Sequence, residues 1–298
     1  MELNFVSLSG GKDSTALALL SIEKEADARF IFCDTGNESP KTYAYIDYLD
    51  EKLESMTGRK IIRIKADFSR EITLKQQKLI TAGETERVEA CTPTGIPFLD
   101  LAVLKGRFPS TMARFCTQKL KIEVIVKEFS KYLHEGFDVK DWVGIRADES
   151  QRRAKMPEME LFLTDEQTGC EAWHYRPILK WSANDCFDVM KRHGIEPNPL
   201  YREGFSRVGC FPCISCRKEE LRIITEKYPD VIRKLNGWEL KVGRASKRGG
   251  RSTFFKITSS NKTIYDFADW AKTDHGGKQF QLDLEDFSAC KSVYGLCE

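Results

Sequence analysis

The sequence has no long apolar run. Nothing in it approaches the roughly 20 consecutive apolar residues of a membrane-spanning helix, which excludes a helical membrane protein. It has little charge of one sign to spare. Lys and Arg total 47, Asp and Glu 45, and the net of +2 identifies no polyanionic partner by itself. Internal repeats and low-complexity segments are missing, and a composition of 41% hydrophobic and 31% charged residues is that of a globular protein. Strand-like residues begin almost at once, so we expect no signal peptide and a cytosolic enzyme. Cysteine, by contrast, is plentiful, with ten in 298 residues. In a reducing compartment that number argues for metal, cluster or redox chemistry rather than structural disulfides.

The chain is organised around Ser9-Gly10-Gly11-Lys12-Asp13-Ser14. Asn4 to Leu8 before it read as a strand and Thr15 to Leu20 after it as a helix start. Two glycines let the backbone approach an anion, and the helix N-terminus turns its N–H groups and dipole toward the same point. Lys12 adds a mobile cation, Ser9 and Ser14 can donate to phosphate oxygens, and Asp13 suits Mg²⁺. The spacing is too short for a Walker A loop. It resembles the PP-loop of ATP pyrophosphatases, which cleave ATP between its α and β phosphates.

Ala28 to Cys33 reads as a second strand ending in Asp34-Thr35-Gly36, Pro40 starts a helix with Tyr43, Ile46, Leu49 and Leu53 at helical spacing, and Lys60 to Ile64 reads as a third strand. The β-α-β-α-β order predicts a doubly wound α/β fold with a mostly parallel sheet. Ligands of such sheets sit at the carboxyl ends of the strands, which puts Ser9 to Ser14 and Asp34-Thr35 on one rim, the latter to hold adenine or ribose. Residues 70–115 are less legible and read as a mobile cover around the Thr92 to Pro97 loop. Val139 to Ile145 is a further strand, with Arg146, Asp148, Glu149, Arg152 and Arg153 at its end. The arginines suit phosphate, and the carboxylates either hold Mg²⁺ or fix the arginines. His174 to Leu179 reads as an edge strand because of Pro177. Ser182 caps the next helix with Asp185, and Gly194 ends it. His174 and His193 show no convincing partners.

Cys210-Phe211-Pro212-Cys213-Ile214-Ser215-Cys216 sets three thiols at three-residue intervals. They can converge on one inorganic centre, which needs a fourth ligand. Cys116 is the candidate, since Arg114, Lys119 and Lys121 favour its thiolate. Lys218 to Leu235 reads as a helix broken near Pro229. From Leu240 to Tyr265 there are seven basic residues and no acidic one, Lys241, Arg244, Lys247, Arg248, Arg251, Lys256 and Lys262, with Gly243, Gly249 and Gly250 between them. A basic, pliant loop of this kind suits nucleic acid. Cys290 and Cys297 close the chain, as a redox pair or as idle thiols.

Taken in order, Ser9 to Ser14, Asp34 to Gly36, Arg114 to Cys116, Gly144 to Arg153, Asn198 to Tyr201 and Gly209 to Cys213 resemble the phosphoadenosine-phosphosulfate (PAPS) reductase family of PP-loop proteins. The resemblance runs from Phe5 to about Trp238 and implies an adenine-nucleotide α-hydrolase-like fold. It divides the chain into residues 1–204, the nucleotide part, and 205–298, a smaller region with the cysteines and the basic stretch. Unlike the reductases, this chain retains Gly10, Gly11, Lys12 and Asp13, the form associated with ATP cleavage, and its Gly295 to Glu298 ending poorly matches their catalytic Glu-Cys-Gly. Cys116, Cys210, Cys213 and Cys216 look closer to the ATP pyrophosphatase of DNA phosphorothioation systems, which works with a cysteine desulfurase. The resemblance therefore implies ATP, Mg²⁺ and a [4Fe–4S] cluster, with zinc as the alternative. It also implies Lys12, Asp13, Arg146 and Asp148 in catalysis, DNA or RNA as partner, and no membrane. Runner-up expectations are a sulfonucleotide reductase using Cys297, a tRNA-thiolating enzyme, or a non-catalytic cluster-bearing adaptor.

Overall fold

The computed structural model describes residues 1–256 and 262–274. Six strands form one sheet in the order β3-β2-β1-β4-β6-β5, namely β1 (Glu2–Leu8), β2 (Ala28–Asp34), β3 (Ile61–Lys65), β4 (Asp138–Trp142), β5 (Met159–Thr164) and β6 (Glu171–Tyr175). All neighbours pair in parallel except β5, which runs antiparallel to β6. The chain winds from β1 outward to β3, then restarts on the other side of β1 with β4. The topological switch therefore lies between β1 and β4, where ligands of such sheets bind.

Alternation along β1 decides which helix covers which face. Val6 and Leu8 point to one side with Phe30, Phe32 and Trp142, and meet α1 (Lys12–Glu23), α2 (Pro40–Thr57) and α9 (Ala183–Arg192). Phe5 points to the other with Ile31, Val139 and Ala172, and meets Phe129 and Leu133 of α7 (Glu123–His134). Local chemistry starts and stops these helices. Ser39 caps α2, Pro40 occupies its first turn, and Gly58 ends it at φ 71°. Ser182 and Asp185 form the reciprocal capping box of α9.

Residues 70–115 are not a loose cover. They hold α3 (Ser69–Thr81), α4 (Thr85–Ala90) and α5 (Pro97–Lys105). These pack with α10 (Lys218–Lys227), α11 (Pro229–Ala245) and α12 (Ile264–Lys272) in a third apolar cluster that runs across residue 204. Phe98 is at its centre, with ring centroids 5.9 Å from both Trp238 and Phe254. The Thr92 to Pro97 loop is ordered by buried Asp100, which accepts from Thr94 N, Thr94 Oγ1 and Gly95 N at 2.8, 2.6 and 3.0 Å. Cys116 follows on α6 (Phe115–Thr117), which runs into a π-helical turn at Gln118–Ile122.

Three expectations need correction. The strand expected at His174 begins at Glu171 and is interior to the sheet; Pro177 lies beyond it, and the true edge is β5. The helix expected to end at Leu235 continues to Ala245, so Lys241, Gly243 and Arg244 are helical. Gly243 does not loosen a loop: a Cβ there would sit 2.2 Å from the Gly250 carbonyl oxygen, because the basic segment packs directly on α11. Among the described residues no helix is long and apolar enough to cross a membrane. Cys290 and Cys297 lie outside the described residues.

Candidate nucleotide site

The Ser9 to Ser14 loop leaves β1 and opens α1 at the switch point. Gly10 has φ +73°, and an added Cβ would stand 3.0 Å from Thr42 Cγ2, so conformation and space both call for glycine. Gly11 is the helix N-cap, and no side chain caps α1. With no side-chain cap from Gly11, donors of the first turn other than Lys12 N, which Tyr201 takes, are left for a ligand. The loop is braced from far along the chain. Asn198 Nδ2 donates to Gly10 O at 3.1 Å, and Lys12 N donates to the Tyr201 hydroxyl at 2.9 Å. Ser14 Oγ accepts from Ser9 N and donates to Gly11 O, both at 3.1 Å, so this serine holds the loop's own shape.

The expected cations and carboxylates meet here. Asp13 Oδ1 is 2.6 Å from Arg146 Nε, and Asp13 Oδ2 is 3.4 Å from Lys12 Nζ. Arg146 and Lys12 are 4% and 6% exposed, so these charges lie largely out of water. Burial works against the Arg146 charge, but the Asp13 and Asp148 carboxylates outweigh it and raise its proton affinity. Asp148 pairs with Arg146, and Glu149 accepts from Arg146 N at 3.2 Å while pairing with Arg153. These two carboxylates therefore fix the arginines. Gly144, just before them, stands against the Asp13-Ser14 backbone, where a Cβ would be 3.3 Å from Ser14 N. Arg152 is exposed. Burial lowers the proton affinity of Arg153, as do Arg207, Arg146 and Arg114, against the pull of Asp13. Of these arginines, Arg146 makes direct contact with the loop, through Asp13.

Asp34 and Thr35 are tied into their own turn. Asp34 Oδ1 accepts from the Tyr43 hydroxyl at 2.6 Å and from Gly36 N at 2.8 Å. Thr35 Oγ1 donates to buried Glu38 at 2.7 Å. Burial raises the Glu38 pKa. The cysteine turn is clipped to this rim: Phe211 N donates to Asn37 O, and Asn37 Nδ2 to Pro212 O at 3.1 Å.

Cys210, Cys213 and Cys216 line one small cavity with Phe211 and Glu220, and Cys116 is near enough to Cys213 to feel its charge. Among the described residues, however, no three Cys, His, Asp or Glu side chains are gathered as a metal would require. Their thiols face protein groups instead. Arg207 Nη2 reaches Cys213 Sγ at 3.0 Å, and Cys210 Sγ is 3.7 Å from Thr35 Oγ1. Burial raises the Cys116 thiol rather than favouring its thiolate. Of its basic neighbours in sequence, Lys121 does pull the Cys116 thiol down but does not offset burial, whereas Arg114 donates to Thr111 O at 3.2 Å and Lys119 pairs with Glu123 at 2.8 Å.

Tyr201, Asn198, Glu38 and Cys186 act at this site without having announced themselves individually. Cys186 is fully buried on α9, with Sγ 3.5 Å from Asp13 Oδ1. Both histidines have partners after all. His174 Nδ1 is 3.0 Å from Asp141, and His193 Nε2 is 2.9 Å from Glu23.

The sequence profile of the phosphoadenosine phosphosulfate reductase domain matches residues 4–216. The chain belongs to that family. The matched span includes the loop, the Gly144 to Arg153 segment and the cysteine turn, so the groups just described are family territory. An uncharacterised 37.8 kDa protein of Escherichia phage 186 is 40% identical over 99% of this chain and 97% of its own length. A phosphoadenosine 5'-phosphosulfate reductase of Buchnera aphidicola is 26% identical over 68% of this chain and 67% of its own. The crystal structure of PAPS reductase from Candida auris in a phosphate complex covers 70% of this chain and 81% of its own at 15% identity, with a TM-score of 0.41.

Proposed function

We propose that this family member is an ATP pyrophosphatase that activates an acceptor for sulfur transfer. The observation that carries the reading is the uncapped start of α1, with Lys12 and Arg146 buried beside it. That arrangement suits a leaving pyrophosphate. Backbone donors of the loop and Lys12 would grip it, and Arg146 would offset charge at the α-phosphate. Mg²⁺, held through Asp13 and the substrate's own phosphates, would neutralise charge; it commonly needs only one or two protein carboxylates. An acceptor oxygen attacks the α-phosphorus, the α–β bond breaks, and pyrophosphate leaves in line. The acceptor then carries AMP, which a sulfur nucleophile displaces.

DNA backbone phosphate is the acceptor we favour, with RNA second and a cysteine desulfurase as sulfur donor. Lys247 and Arg248 are exposed and available to a polyanion, whereas Arg251 is committed to Glu239 at 3.2 Å. The test is AMP and pyrophosphate formation from ATP, with and without DNA, RNA and sulfate. Release that DNA stimulates supports the reading, and no release under any condition ends it. Sulfonucleotide reduction is a second reading, favoured by the family's name and the Buchnera relative. It predicts sulfite from PAPS and a thiol, with no pyrophosphate from ATP.

A further inference from the structure

Asp13 sits in the first turn of α1, where the helix end favours an anion. Its two oxygens are divided between the two buried cations of the site, Oδ1 to Arg146 Nε at 2.6 Å and Oδ2 to Lys12 Nζ at 3.4 Å. The Cys186 thiol adds a contact to Oδ1 at 3.5 Å. Arg146 is held from its other side by Asp148, half-exposed at the rim, and by the Trp181 carbonyl at 3.4 Å. Two buried cations at an uncapped helix start need a counter-ion when no ligand is there, and this carboxylate is that counter-ion. A polyphosphate arriving at the same helix end seeks the same two cations with more charge.

We propose that Asp13 is a resident stand-in for phosphate: it occupies Lys12 and Arg146 until a polyphosphate takes them over, and only then is its carboxylate released to a divalent cation. This rests on the pyrophosphatase reading and adds an order of events to it. Asp13 is a competitor of the nucleotide before it is a partner. No bond is made or broken; one set of ion pairs replaces another. The consequence is a split that a simple metal ligand would not produce. Neutralising Asp13 should strengthen polyphosphate binding without metal, and weaken whatever depends on metal.

The experiment is calorimetric titration of the intact chain with inorganic pyrophosphate, in EDTA and in Mg²⁺, for wild type and Asp13→Asn. In EDTA the variant should bind about tenfold more tightly, the scale of one partly buried ion pair removed from competition. In Mg²⁺ the wild type should gain affinity and the variant should not, while pyrophosphate release from ATP falls below detection in the variant. If Asp13→Asn melts early, Asp13→Ser serves with the same expected sign. A variant that melts like wild type but binds pyrophosphate no better in EDTA overturns the stand-in role and leaves the pyrophosphatase reading in place. Failure of wild type and variant alike to bind pyrophosphate in either buffer overturns both.

Discussion

The hydroxyl of Tyr201 accepts the backbone N–H of Lys12 at 2.9 Å, from 189 residues further along the chain. The phosphate loop is therefore shaped by a segment outside its own β-α unit. Tyr201→Phe removes the acceptor and leaves a buried donor unpaired, at a cost of about 1–3 kcal/mol. We expect a lower melting temperature and an ATP KM raised several-fold with kcat less affected. Unchanged KM and melting temperature would show that the contact shapes nothing.

Gly243→Ala should be among the costliest single-methyl changes in the C-terminal helices. The new Cβ would meet the Gly250 carbonyl at 2.2 Å and Arg251 Cα at 2.7 Å, both backbone. Displacing that segment costs about 1–3 kcal/mol. Limited trypsin digestion should then cut faster at Lys247, Arg248 and Arg251, with thermal melting measured alongside. Equal digestion rates would mean that the segment is not held against α11.

Buried Asp141 gives a pH signature. Its oxygens accept from Ser7 at 3.1 Å and meet His174 at 3.0 Å, yet burial raises its pKa above the ordinary carboxylate value. A raised folded-state value means that its contribution to stability is fully present below the unfolded value of about 4 and is lost as pH rises through the folded one. Asp141→Asn does not titrate. Its melting temperature relative to wild type should therefore improve between pH 4 and pH 8. A difference that stays flat or moves the other way would place the ionisation cost elsewhere.

The cysteine turn makes a kinetic prediction. Burial pushes the Cys210 thiol up to about 11 and raises Cys216 as well. At pH 7.5 neither is a thiolate, so both should alkylate slowly with iodoacetamide in the folded protein and quickly after denaturation. Peptide mapping by mass spectrometry reads each site. Rapid native labelling of Cys210 would show that its thiol is not held protonated.

What could be read in the sequence was what local chemistry writes. The strand, glycine turn and helix start around Ser9 to Ser14 are contiguous, and the Ser182–Asp185 box is four residues long. The edge strand β5 was not legible, because Met159 to Leu161 are all exposed and give no inward-outward alternation. Helices α3 to α5 escaped for the opposite reason. Their apolar stripes answer to partners beyond residue 200, and α5 is buried on nearly every side. The nucleotide site divided along the same line. Its loop was legible, while the grip of Asn198 and Tyr201 on it, and the pairing of Asp13 with Arg146, arise only from folding.

The stack of Phe98 on Trp238 sets a limit on how such a chain can diversify. One ring lies inside the family-matched span and the other beyond its end at residue 216. Together they make the two stretches a single packing unit. An exchange of everything after residue 216 would strip Phe98 of Trp238 and Phe254 and leave that face of the ring to water. A tail exchanged on its own would need matching changes near residue 98 to keep that packing, as a lid is recut when its box is altered.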